Sequence, residues 1–275
     1  MSARDALTPR VFLIRHGETE WAKSGRYTGI TDIELTSVGI QQVSSVATTL
    51  VGPGKLVDPY RITHVFVSPR KRAKMTFELL QIPSSPPTAD GEREVTYTED
   101  IAEWDYGDYE GLKAGEIKEL RKTRGLDQER EWNIWRDGCE GGETMQQVTE
   151  RLDRLVSEIR NIQRPNMNGE KSADVLLVRS HPPLFHPFLW TLAAPLVSPA
   201  FVFMADGWES QVAHGLILRC FIKRWLHWPI DFSFPMMLDP GAVTVLSYKN
   251  NNVDEPALHV GMALPPLEGT HQNES

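Results

Sequence analysis

Two short β-branched runs, each opening directly into a cluster of cations, constrain this chain more than anything else in it. Residues 10–14 (RVFLI) lead into Arg15-His16-Gly17, and residues 62–67 (ITHVFV) lead into Ser68-Pro69-Arg70-Lys71-Arg72-Ala73. Between them Thr36 and Ser37 supply a cap for a helix over 36–50, and a second helix is predicted over 70–80. Strand, helix, strand, helix is the pattern of an α/β domain, in which chemistry collects at the carboxyl ends of the strands. Further helices are predicted over 113–122 and 144–163, the latter from Val148, Leu152, Leu155 and Ile159 at helical spacing, with strands over 174–178 and 242–248. No internal repeat is present, so one α/β domain is the simplest organisation.

Composition narrows the class. The 275 residues carry 29 Lys and Arg against 37 Asp and Glu, a net charge of −8, which argues against a nucleic-acid binder working through a basic face. Two cysteines, Cys139 and Cys220, cannot build a disulfide framework, and the first ten residues lack the apolar core of a secretory signal. A cytoplasmic protein is expected, with the nucleus also open to it, without nucleic-acid or membrane partners; the oligomeric state stays open. His64, His227, His259 and His271 have no Cys, His or carboxylate partners at ligand spacing, so no metal is expected. The polar, Pro-rich tail over 265–275 reads as disordered.

The two strand ends are where chemistry is expected. An imidazole beside a guanidinium, followed by a Gly that permits close approach to a ligand, suits an anionic substrate. Cations at the start of the 70–80 helix oppose its dipole, which an anion at that position would explain.

These residues reproduce the RHG signature and SPRxRA segment of the histidine phosphatase superfamily, which includes the cofactor-dependent phosphoglycerate mutases. Further segments, HGETEWAKSGRYTGITDIELT, EWDYGDYEG, RKTRGLDQEREWNIWRDGCEGGET and LSYKNNNVDEPAL, resemble the fungal sedoheptulose-1,7-bisphosphatase branch over 8–264. The resemblance implies a three-layer α/β/α sandwich with a mostly parallel central sheet, and a phosphatase of sugar phosphates that needs no metal and no cofactor. By the same resemblance His16 becomes a phosphohistidine, Arg15 and Arg72 bind the transferring phosphoryl group, and Thr19, Thr28 and Gly29 lie on the phosphate side. Glu103 matches the acid/base carboxylate, with Asp105 and Asp108 as competitors within an acidic stretch that also suits a solvated face. Trp132, Trp135 and Arg136 are candidates for the sugar side, although such aromatics also suit core packing. Ala22 stands where the mutases usually carry Asn. A mutase, or a catalytically impaired isoform that binds phosphorylated ligands, is the alternative.

A second His completes the family's phosphate pocket. After 174–178 the pattern calls for Ala-His-Gly, but the chain gives Arg179-Ser180-His181, and the motif arrives at Ala213-His214-Gly215. The 34 extra residues, 178–211, carry no charge from Ser180 to Ala205 and are rich in Pro and aromatics. They read as a translated intron or aberrant insertion, since Val-Arg at its start and Gln at its end can be encoded by splice-site sequences. Removing them gives DVLLVAHGLILRCF, a buried strand that delivers His214 and then a helix. Leu216 replaces a second His found in that branch.

Overall fold

A computed structural model describes residues 8–83, 93–178 and 215–261. Six strands, β1 (Val11–Ile14), β2 (Ile62–Val67), β3 (Glu94–Tyr97), β4 (Asp174–Val178), β5 (Val243–Tyr248) and β6 (Pro256–Leu258), form one sheet in the order β3-β2-β4-β1-β5-β6. The first four run parallel, while β5 pairs antiparallel with both β1 and β6. The helices are α1 (Glu20–Ser24), α2 (Ser37–Leu50), α3 (Lys71–Leu79), α4 (Ala114–Thr123), α5 (Ile134–Asp137), α6 (Met145–Gln163) and α7 (Leu216–Trp225).

The period-two alternation of the strands sorts the core into two layers. Phe12, Ile14, Val65, Val67, Leu176 and Val178 face one side, where α2 and α3 supply Val43, Ala73 and Phe77, and Leu80 follows at the end of α3. Val11, Leu13, Phe66, Val175 and Leu177 face the other, against Val148, Leu152, Leu155 and Ile159 of α6 and Ile217, Phe221 and Trp225 of α7. The result is the three-layer sandwich, with a sheet that is parallel at its centre. Truncating a fully buried α6 residue such as Leu152 to Ala should cost about 2–5 kcal/mol.

Helix boundaries follow local chemistry. Thr36 caps α2 by accepting the Gly39 N–H, and Thr144 caps α6 in a reciprocal box with Gln147. The short edge strands β3 and β6, with the single turns α1 and α5, carried no periodicity long enough to be predicted. Among the described residues, no helix is long and apolar enough to cross a membrane.

Strand order fixes the place of the candidate site. β4 lies between β1 and β2, so the carboxyl ends of these three strands are adjacent. One presents Arg15 and His16, another Ser68, and the Ser68 N–H donates to the Val178 carbonyl at the end of β4 (2.9 Å). His214 and residues 179–211 lie outside the described residues, as does the tail from 262 on.

Candidate active site

The chain leaving β1 is locked in place before it reaches any ligand. The His16 carbonyl accepts from the Gly241 N–H (3.1 Å), and the Arg15 N–H donates to Ala242 O (3.0 Å). A Cβ on Gly17 would stand 2.1 Å from the Gly39 carbonyl. The glycine predicted to admit a ligand therefore admits the first turn of α2 instead. That contact anchors the His16 backbone to the helix.

His16 is 2 % exposed, and its Nδ1 lies 2.6 Å from the carbonyl of Gly17. A carbonyl only accepts, so Nδ1 carries a proton, and in the neutral imidazole the lone pair is then on Nε2. In that form Nε2 is the ring nitrogen able to accept a proton or bond an electrophile.

Arg15 and Arg72 are both buried, and backbone carbonyls orient their forks. Arg15 donates Nη1 to Leu238 O in the loop before β5. Arg72, on the first turn of α3, donates Nη1 to Thr31 O (2.9 Å) and Nη2 to Thr28 O (3.1 Å) and Gly29 O (2.8 Å). Arg72 thus turns toward the 28–31 loop. Arg70 leaves to pair with Glu99 through two contacts of 3.0 and 3.2 Å, and the Lys71 N–H is taken by Asp32.

The 28–31 loop is shaped by close packing as well as by hydrogen bonds. A Cβ on Gly29 would lie 2.3 Å from the Trp104 carbonyl, so the loop presses directly on the segment that carries Glu103. Thr28 is buried and donates its hydroxyl to Arg26 O (3.2 Å); Thr19 is buried and caps α1 through Ala22 N (3.1 Å). Gly29 was expected to offer its backbone on the phosphate side. Its N–H is instead held by Glu110, at 3.0 and 2.9 Å, and its carbonyl by Arg72.

Burial separates Glu103 from its rivals. Glu103 is 2 % exposed; Asp108 is exposed and pairs with Arg124 (2.7 Å), and Asp105 accepts the Gly107 N–H (2.9 Å). Glu103 Oε1 accepts from its own neighbour Trp104 N and from Ile217 N in the first turn of α7, both at 3.0 Å. That turn follows Gly215, where a Cβ would sit 3.3 Å from Arg15 Nε. Glu103, the start of α7 and Arg15 are thus packed in series. Leu216, in the place of the second His, is fully buried in the core.

Arg151 anchors the Glu103 segment from behind, a role the sequence reading did not assign. It donates to the carbonyls of Asp100 (3.0 Å) and Ala102 (2.8 Å), and pairs with Glu143 at 2.7 and 2.9 Å. Its signal was an arginine on the apolar stripe of α6, between Val148 and Leu155.

The aromatic candidates lie beside Tyr27, the neighbour of Thr28. Trp132 packs on Tyr109 and Tyr27 with centroids 5.1 and 6.3 Å apart, and Trp135 stacks under the Lys223 ammonium at 4.0 Å. Trp132, Trp135, Tyr27 and Lys118 line a cavity of about 490 Å³. Arg136 turns away to pair with Asp137 (2.7 Å).

At the carboxyl ends of the central strands the fold thus gathers a buried His-Arg pair, a second buried arginine and a buried carboxylate, an arrangement suited to an anionic ligand. Residues 11–184 match the family model of the histidine phosphatase superfamily (branch 1). The chain belongs to that superfamily and is a hydrolase of the phosphatase kind. It is 37 % identical over 275 residues to the sedoheptulose 1,7-bisphosphatase of Saccharomyces cerevisiae, covering 98 % of this chain and 99 % of the relative. It is 39 % identical over 148 residues to an acid phosphatase of Mycobacterium tuberculosis, covering 54 % of this chain and 62 % of that one. Among solved structures, an open reading frame of Mycobacterium tuberculosis superposes with a TM-score of 0.59 at 27 % identity, over 92 % of this chain and 96 % of the other.

Proposed function

We propose that this chain hydrolyses phosphate monoesters of small sugars through a phosphohistidine on His16, with the 1-phosphate of sedoheptulose 1,7-bisphosphate as substrate. The observation that carries the mechanism is the Nδ1–H of His16 held by its neighbour's carbonyl, which leaves Nε2 as the nucleophile in a buried site. The substrate reading rests on the similarity to the yeast bisphosphatase along nearly all of both chains.

In the first step the Nε2 lone pair forms the N–P bond as the P–O bond to the sugar breaks, and Glu103 gives its proton to the departing oxygen. In the second, Glu103 takes a proton from water, the resulting hydroxide attacks phosphorus, and the N–P electron pair returns to Nε2. One carboxyl serves both steps because they are sequential. Arg15 and Arg72 bind the equatorial phosphoryl oxygens, where guanidinium forks offset charge that is spread over three atoms. Thr28 and Gly29 shape this wall through the carbonyls that fix Arg72, Thr19 supports the turn after His16, and His214 completes the pocket.

Residues 178–211 are proposed to be foreign to the working enzyme. They begin at Val178, the last residue of β4, and stand between that strand and the motif that bears His214, and a displacement of about an ångström in a catalytic group costs on the order of a hundredfold in rate. The test is phosphate release from sedoheptulose 1,7-bisphosphate by two purified proteins, the full chain and the chain lacking 178–211, each beside a His16→Ala control. Turnover by the shortened chain alone, with a dead control, supports both parts. Equal turnover by the full chain removes the claim about 178–211, and primer-dependent phosphoglycerate isomerisation without phosphate release would replace the phosphatase by a mutase.

A further inference from the structure

The peptide that joins Thr28 to Gly29 lies between opposite charges. Its N–H donates to the Glu110 carboxylate (3.0 and 2.9 Å) and its C=O accepts from Arg72 Nη2 (3.1 Å). In a trans peptide these two groups point in opposite directions, so carboxylate and guanidinium hold the same planar unit from its two sides. Glu110 Oε1 also accepts the Thr31 N–H (2.9 Å), and Arg72 Nη1 donates to the carbonyl of that same residue (2.9 Å). Among the described residues, Glu110 makes no direct ion pair with a lysine or arginine.

We propose that Glu110 is a positioning residue for the phosphoryl site, fixing the 28–31 loop and, through the Thr28–Gly29 peptide, the fork of Arg72. The inference rests on Arg72 being a phosphoryl ligand. A carboxylate on the N–H side polarises the peptide and strengthens the carbonyl as an acceptor, since linked hydrogen bonds reinforce one another. Three carbonyls then set the plane of the guanidinium, while its steric freedom is removed by burial at 1 % exposure. The loop cannot relax toward Glu103, because Gly29 already touches the Trp104 carbonyl. Glu110 thus does for Arg72 what a metal ligand's outer partner does for the ligand: it fixes orientation before the anion arrives.

Glu110→Gln keeps the shape but removes the charge and places an NH2 where Oε2 now faces the Gly29 N–H. The measurement is the Kd for inorganic phosphate by titration calorimetry, alongside kcat, in wild type, Glu110→Gln, Arg72→Ala and the double variant, with thermal melts as a folding control. The expected result is a rise in Kd of about tenfold for Glu110→Gln, as for loss of an outer partner, with a melt close to wild type. The same change in the Arg72→Ala background should move Kd by less than about twofold, because coupling vanishes once its target is gone. An unchanged Kd in Glu110→Gln, or the same loss with and without Arg72, overturns the proposal. Should wild type bind phosphate and Arg72→Ala bind it equally well, the reading of Arg72 fails first and the inference falls with it.

Discussion

The two ends of the sheet both bury charge, and they do so in opposite ways. At the amino ends, Asp174 is fully buried and closed by arginine: Arg10 donates through its N–H (2.9 Å), Nε (3.2 Å) and Nη2 (2.7 Å), and Arg61 through Nε (3.2 Å). At the carboxyl ends, the contacts that fix Arg72 come from loop carbonyls, and those that fix Glu103 come from the N–H groups of Trp104 and Ile217. A side chain saturated by an opposite charge is a structural tie. One oriented by peptide dipoles keeps its charge for a substrate, and that is the difference between a buried ion pair and a site.

The comparison predicts that removing charge at the carboxyl end costs rate, whereas removing it at the amino end costs stability. The largest effect belongs to His16→Ala, which should lower kcat for phosphate release on the order of ten-thousandfold or more, as expected for loss of a nucleophile. Arg72→Ala should follow, with kcat down about a hundred- to a thousandfold, the range for one preorganised donor to transition-state charge. Glu103→Gln should reduce kcat by about a hundredfold, at the lower end for an acid/base group, and a substrate whose leaving group needs no protonation should recover most of the first step.

At the other end, Asp174→Asn should leave kcat near wild type and destabilise the fold by about 3 kcal/mol in urea titrations, because Arg10 and Arg61 lose their shared partner. A kcat loss in Asp174→Asn matching that of Arg72→Ala would erase the distinction.

The smallest effect is alkaline. Burial pushes the Cys220 thiol up to about 12 and the Tyr109 hydroxyl up to about 12, from ordinary values of 9.0 and 10.0. These groups stay protonated in the fold while the unfolded chain loses its protons, so stability is full below about pH 9 and declines as pH rises toward 12. Thermal melts from pH 8 to 11 measure this, and native Cys220 should not react with a thiol reagent at pH 8.

What the sequence made legible were the parts that depend on local pattern. The strand ends at His16 and Ser68, the Thr36 and Thr144 caps and the apolar stripe of α6 each stand within a few residues, and all fall where expected. What it hid were contacts between distant segments. Nothing within seven residues of Gly17 reveals that it abuts Gly39, or that the Gly29 N–H belongs to Glu110, 81 residues away. Arg151 was concealed because an amphipathic pattern is read from its apolar members, and an arginine on that face looks like an exception until four carbonyls converge on it. Strand β3 escaped because a four-residue edge strand has too little periodicity to read.

The central claim is that the phosphoryl group passes through His16, and acid-stable intermediates do not report on it because phosphohistidine is labile to acid. The direct measurement is a rapid alkaline quench of enzyme turning over sedoheptulose 1,7-bisphosphate, performed on the full chain and on the chain lacking 178–211, followed by mass spectrometry of the peptide containing Arg15-His16-Gly17. The account predicts one added phosphoryl group on that peptide, lost on acid treatment, in whichever form turns over. Steady phosphate release with that peptide unmodified, and retained in His16→Ala, would contradict it.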